Sequence, residues 1–323
     1  WAEQLDCDCE NWADVIGLCT RLQPAVLGDD PRQCGANAHR CAVELSLLDA
    51  YGRLFGEPVS AVTHCFEPAR PLRTALAQVR YSGAVTADSQ RQELVSALKM
   101  RVYGFAHCKV KVGMPGADDG ERMRHLRRWL GRKMEVRIDA NEAWDGTEVV
   151  AKLEPLLPWD IRCVEQPVPH AQVESLAELR RQIPVPVMLD ESLASLVDGA
   201  AAIRQETCDL FNIRLSKCGG FLNSLRLAAM AREAGLAYQM GCHPGESGIL
   251  SAAGRHFAST VRDICYCEGS YDRHLLKRLL THEDITFGYG GRAPALTGPG
   301  LGVTVQHDLL ADCTVRKQHC PLE

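Results

Sequence analysis

Ala106-His107-Cys108-Lys109-Val110-Lys111-Val112 alternates in the manner of a β-strand, and the alternation puts Lys109 and Lys111 on one face. Working outward, the next apolar run, residues 134–139, ends in Asp139. The following runs bring Glu165, Asp190 and Lys217, so that successive charged residues stand 28, 26, 25 and 27 positions apart. Each interval holds one strand, one helix and two turns. In all, eight apolar runs alternate with helix-like segments: residues 79–85, 106–112, 134–139, 161–165, 185–190, 210–215, 237–241 and 263–268. The helical pattern over 121–130 stops at Gly131 and that over 222–234 stops at Gly235, because glycine enters positive φ without steric cost. Strands alternating with helices imply parallel βαβ units, and eight of them imply an α/β fold closed into a (β/α) barrel over residues 76–285.

The flanks read differently. Cys41, Leu45, Leu48, Tyr51 and Phe55 form one face of a helix stopped by Gly56 and Pro58, so residues 1–75 are expected to be the helical part of a separate cap. Residues 286–323 are expected to be a segment returning toward that cap, and their glycine- and proline-rich part, 288–302, reads as loop.

Composition narrows the partners. The 323 residues are 46% hydrophobic and 24% charged with net charge −5, and no basic stripe suggests nucleic acid. No apolar run approaches the ~18 residues of a membrane span. Trp1-Ala2-Glu3-Gln4 lacks the basic and apolar regions of a secretory signal, so a cytosolic location is expected. The 15 cysteines are odd in number, form no C-x-x-C pair, and read as small buried hydrophobes in a reducing compartment rather than as a zinc site.

In a barrel, groups at the C-terminal ends of strands converge on one mouth. Lys111, Asp139, Glu165, Asp190 and Lys217 would therefore meet there. Three neighbouring carboxylates repel one another unless cations or protons neutralise them. An all-oxygen set suits Mg2+, or Mn2+, with positions left for water and substrate. A nearby cation disfavours the charged form of a lysine and suits it to act as a base. Taken singly, each residue has an ordinary alternative: solvated lysines on an edge strand, helix N-caps for the carboxylates, a surface loop for Lys217. The regular spacing outweighs these. Gly219-Gly220 after Lys217 allows backbone to approach closely where a strand turns into a helix.

Lys109-x-Lys111, Asp139-Ala140-Asn141, Glu165-Gln166-Pro167, Asp190-Glu191 and Lys217-Cys218-Gly219-Gly220 together resemble the enolase superfamily, within it the muconate-lactonising subgroup of muconate cycloisomerases and dipeptide epimerases. The resemblance covers almost the whole chain. It implies a modified TIM barrel with a smaller α+β capping domain, here incomplete because the cap's first strands would precede Trp1. It implies Mg2+ on Asp139, Glu165 and Asp190, with Lys111 and Lys217 as acid and base on opposite faces of a small carboxylate substrate. Lys109 would support Lys111 and help hold the carboxylate. Asn141 and Glu191 would stand behind these groups, Glu191 bonded toward Lys217. A symmetric homo-oligomer is also implied.

Two features depart from related patterns. The mandelate-racemase subgroup pairs an Asp on strand six with a His on strand seven; here His243 is present but strand six offers Lys217, so His243 is expected to line the pocket or pack. Dipeptide epimerases carry Asp-x-Asp on strand eight; here only Glu268 supplies an acid near that place, and Glu246 is a similar candidate for meeting a cationic substrate group. The leading expectation is a Mg2+-dependent isomerase, either a racemase or epimerase or a cycloisomerase, that removes a proton α to a carboxylate to give an enediolate. A lyase, dehydrating hydroxy acids or acid sugars or forming o-succinylbenzoate, uses the same residues. A Schiff-base barrel with Lys217 as nucleophile and a non-catalytic relic are the remaining alternatives.

Overall fold

The computed structural model describes residues 8–26, 28–86 and 89–317. The chain begins with helix α1 (Trp12–Arg21), whose start is fixed by the Asn11 side chain accepting from the Ala13 and Asp14 N–H groups. Helix α2 (Asn37–Phe55) ends at Gly56 in the left-handed region. It buries Cys41, Leu45 and Leu48 as their spacing predicts, and Glu44 beside them. The short helix α3 (Val62–Cys65) completes this region.

Strand β1 (Gln78–Arg80) and strand β2 (Gly83–Val85) follow. The chain then runs through α4 (Gln90–Val102), β3 (His107–Lys111), α5 (Asp119–Leu130), β4 (Glu135–Asp139), α6 (Val149–Leu153) and β5 (Ile161–Glu165). It continues through α7 (Leu176–Gln182), β6 (Val187–Leu189), α8 (Leu196–Gln205), β7 (Leu210–Ile213), α9 (Phe221–Glu233), β8 (Ala237–Met240), α10 (Gly248–Thr260) and β9 (Ile264–Cys267). The last elements are α11 (Asp272–Leu275), β10 (Arg292–Pro294) and α12 (His307–Cys313).

Strands β2 to β9 form one eight-stranded sheet in chain order, every neighbouring pair parallel. The Ser82 N–H, just before β2, donates to the Cys267 carbonyl at the end of β9 over 2.7 Å and so links the first strand to the last. Full helical crossovers join the strands, but only the four-residue α11 follows β9. This is the modified α/β barrel expected.

Two local expectations are corrected. Residues 79–85 are not one strand. The chain turns at Tyr81-Ser82, and β1 leaves the barrel to pair antiparallel with β10. The 288–302 stretch is therefore not loop throughout. Its glycines serve close backbone approach: the Tyr81 N–H donates to the Gly291 carbonyl over 2.7 Å, and a Cβ on Gly291 would lie 2.3 Å from the Tyr81 carbonyl oxygen.

One contiguous apolar core runs from Trp12 and Leu48 of the first helices through the barrel strands to Val303. Twelve of the described cysteines, from Cys19 to Cys313, are free thiols. Burial pushes the thiols of Cys108 and Cys208 up to about 12, which makes them packing groups rather than nucleophiles. No helix among the described residues is long and apolar enough to cross a membrane.

Candidate active site

Register builds the site. Lys109 pairs with Arg137, and Lys111, Asp139 and Glu165 lie level across β3, β4 and β5. Period-two alternation then turns Lys109, Lys111, Arg137, Asp139 and Glu165 to the barrel interior. Asp190 follows β6 directly, and Lys217 sits in the turn beyond β7. The sequence-predicted carboxylates and lysines are thus brought to one end of the barrel. Asp139, Glu165 and Asp190 are fully buried.

Each carboxylate is held by cations. The Lys109 ammonium lies 3.2 Å from Asp139, 3.3 Å from Glu165 and 3.0 Å from Glu268. Burial works against its charge, but Glu165, Glu268 and Asp139 outweigh burial and hold its pKa well above a lysine's usual value. Lys111 donates to Asp139 Oδ2 over 2.6 Å and also to Asn141 Oδ1. Arg214, directly after β7, donates to Asp190 and stands 3.7 Å from Glu165. For Asp190, burial is overcome by Lys217 and Arg214, which lower its pKa. Glu165 is the group left short of positive charge. Burial, with repulsion from Asp139, Glu268 and Asp190, pushes it up to about 8 despite Lys109.

The remaining candidates take definite places. Asn141 donates to Glu191 Oε1 over 3.1 Å, so Glu191 is turned toward Asn141 and not toward Lys217 as expected. Lys217 donates instead to the Asp190 carbonyl at 2.6 Å, to Asp190 Oδ1 at 2.7 Å and to the Asn212 carbonyl at 3.0 Å. Those bonds use all three of its donors and tie it to the protein. Glu268 is shielded from water. It is buried between Lys109 and Arg137, and these cations override burial to hold it at about 2. His243 Nδ1 meets Ser216 Oγ at 3.1 Å, and Glu246 accepts from the His243 N–H at 2.6 Å. Both line a cavity of about 20 Å³ with Cys242, Ser270 and Tyr271, room for about one water.

The sequence reading passed over Arg137, Asn212 and Arg214. The alternation that joined Lys109 to Lys111 also reaches them, since Arg137 lies two before Asp139, and Arg214, just past the end of β7, lies two after Asn212. Asn212 donates to Glu165 Oε1 over 2.7 Å. The cap is fastened to this end as well. Asn37 of α2 donates to the Ala194 and Lys217 carbonyls, and Glu44 accepts from the Leu222 N–H at the start of α9. Gly219-Gly220 permits this docking: a Cβ on Gly220, at φ +112, would lie 2.4 Å from Glu44 Oε1.

Among the described residues, no three of His, Cys, Asp and Glu close on a point as a metal cage would. The donor set nonetheless fits a hard divalent cation. It offers three buried carboxylates and no competing soft ligand. Lys109 and Arg214, each between two of those carboxylates, mark where positive charge is required.

The family model described as "Enolase C-terminal domain-like" matches residues 92–309, which hold the carboxylates, lysines and arginines of this site. The chain belongs to the enolase superfamily. Muconate cycloisomerase 1 of Rhodococcus opacus is 32% identical over 287 residues, 86% of this chain and 73% of that protein. N-succinyl-L-Arg/Lys racemase of Bacillus cereus is 26% identical, with 95% of this chain and 83% of that protein covered. Among solved structures, the dipeptide epimerase of Cytophaga hutchinsonii, complexed with Mg and the dipeptide D-Ala-L-Val, superposes with a TM-score of 0.80 at 25% identity, covering 94% of this chain and 78% of that one. These enolase-superfamily relatives are isomerases.

Proposed function

We propose that this chain is a Mg2+-dependent isomerase of a small carboxylic acid, and that its reaction turns on a proton α to the substrate carboxylate. The observation that carries this is the row of buried carboxylates Asp139, Glu165 and Asp190 on successive strands, with Lys111 level with Asp139 at the edge of the row. Those carboxylates would hold the cation. The chemistry a divalent cation supplies there, when bound, is stabilisation of the negative charge that grows on the substrate carboxylate as the α-proton leaves.

The protein's own groups do the rest. Lys111 keeps about a third of its side chain exposed and reaches Asp139, so it is the lysine able to meet substrate and carry the proton. Lys109 is buried, and its charge holds Asp139, Glu165 and Glu268 in place. Asn141 orients Lys111 and is itself tied to Glu191. Lys217 and Arg214 fix Asp190. A homo-oligomer working in the cytosol, with residues 1–75 as cap, 76–285 as barrel and 286–323 as the returning segment, completes the reading.

The test is Lys111→Ala. The variant should bind Mg2+ and acid while losing α-proton exchange by about a hundred- to ten-thousandfold, the range expected for removing a general base. Exchange at the wild-type rate would remove Lys111 from the reaction.

A further inference from the structure

Strands four places apart in an eight-stranded ring stand opposite each other, and β3 and β7 are such a pair. Lys111 ends β3. Arg214 follows β7 and continues the inward face on which Asn212 reaches Glu165. Two cations therefore stand on the side facing Lys111, and the one that continues the inward face, Arg214, is not a proton acceptor. An arginine stays protonated throughout the range in which proteins work and has no lone pair to offer. Lys217 would have to break its three bonds, to two backbone carbonyls and the Asp190 carboxylate, to turn an amine toward a substrate.

We propose that Arg214, with Lys217 behind it, makes the β7 side of the mouth a permanently cationic wall, so that the proton reaches and leaves the α-carbon only on the Lys111 face. Given the proposed function, on which this rests, the reaction is one-sided. It is a cycloisomerisation rather than a racemisation or epimerisation. In the ring-opening direction the Lys111 amine takes the α-proton. The C–H electron pair forms the Cα=Cβ bond, and the Cβ–O bond breaks with its pair on the departing carboxylate. Ring closure is the reverse, with the Lys111 ammonium returning its proton to the α-carbon. No atom is gained or lost, and no second base is needed. Inversion at the α-carbon requires a second group that gives and takes a proton on the opposite face, which an arginine does not do. Arg214 is thus a specificity-determining residue.

The experiment follows stereochemistry in D2O with Mg2+, using the full chain and Arg214→Lys. The probes are muconate, both enantiomers of N-succinyl-arginine, and D-Ala-L-Val. Calorimetry with the same acids separates failure to bind from failure to react. Wild type is expected to place deuterium on a single face, as a singly labelled lactone from muconate or as exchange with retained configuration in an amino-acid probe. Arg214→Lys is expected to raise inversion from below detection to a measurable fraction of exchange. Inversion by the wild type would overturn the proposal while leaving proton removal intact. An Arg214→Lys variant that exchanges only with retention would overturn the assignment of the barrier to Arg214. No exchange or lactone with any probe that binds would overturn both this inference and the function beneath it.

Discussion

Replacing Glu268 with glutamine removes the negative centre of a buried trio. Glu268 lies between Lys109, at 3.0 Å, and Arg137, whose guanidinium also covers the Tyr266 ring at 4.5 Å. All three side chains are nearly or fully buried, so water cannot replace the lost charge. A carboxyl held at about 2 in place of 4.5 contributes about 3 kcal/mol at neutral pH, at about 1.4 kcal/mol per pH unit. Breaking a buried ion pair by removing one partner costs about 3–5 kcal/mol, which agrees. Because the folded pKa is depressed, this stability is present above pH 4.5 and is lost as pH falls toward 2. Urea unfolding of wild type and Glu268→Gln should thus differ by about 3 kcal/mol at pH 7, with more than half of the gap gone by about pH 3. Combining Glu268→Gln with Arg137→Met should cost less than the two separate losses together, because the partners share one interaction. A neutral-pH loss under about 1 kcal/mol, or a gap that does not narrow in acid, would refute the argument that this trio is held together by charge.

Two further predictions concern neighbouring groups. Burial raises Glu44 from 4.5 to about 7 although it caps α9, so its contribution to stability is present below 4.5 and is lost as pH rises through 7. Between pH 5 and 8 the unfolding free energy of Glu44→Gln should gain about 2.5 kcal/mol on that of wild type, and parallel pH curves would show that burial does not raise Glu44, which is then charged in the folded protein throughout this range. Asp190→Asn should weaken Mg2+ binding at least about tenfold in a calorimetric titration of protein whose melting temperature shows it folded, whereas an unchanged titration would take Asp190 out of the cation site.

The barrel was legible because its signal is periodic. The interval from Lys111 to Asp139 and onward is set by the length of a strand plus a helix, and β3, β4 and β5 end on the residues that spacing singled out. The break at Tyr81-Ser82 was not legible, because β1 is defined by pairing with β10 more than 200 residues away, and residues 79–85 carry no local stop strong enough to announce it. On β7 the distance count ran to Lys217, whereas side-chain alternation runs to Arg214. Distance along the chain and direction of the side chain part company where a strand ends and a turn begins. Glu268 was legible only as an acid suited to a cationic group, not as one enclosed by the protein's own cations, because Lys109 and Arg137 come from strands far away in sequence.

The most direct test of the whole account is deuterium uptake at the α-carbon, followed by NMR with wild-type protein in D2O against muconate, N-succinyl amino acids and dipeptides, with and without Mg2+. Uptake into a substrate or product is expected to require Mg2+ and to disappear in Lys111→Ala. Turnover of one of these acids with no α-carbon exchange, or exchange that proceeds equally well without a divalent cation, would contradict it.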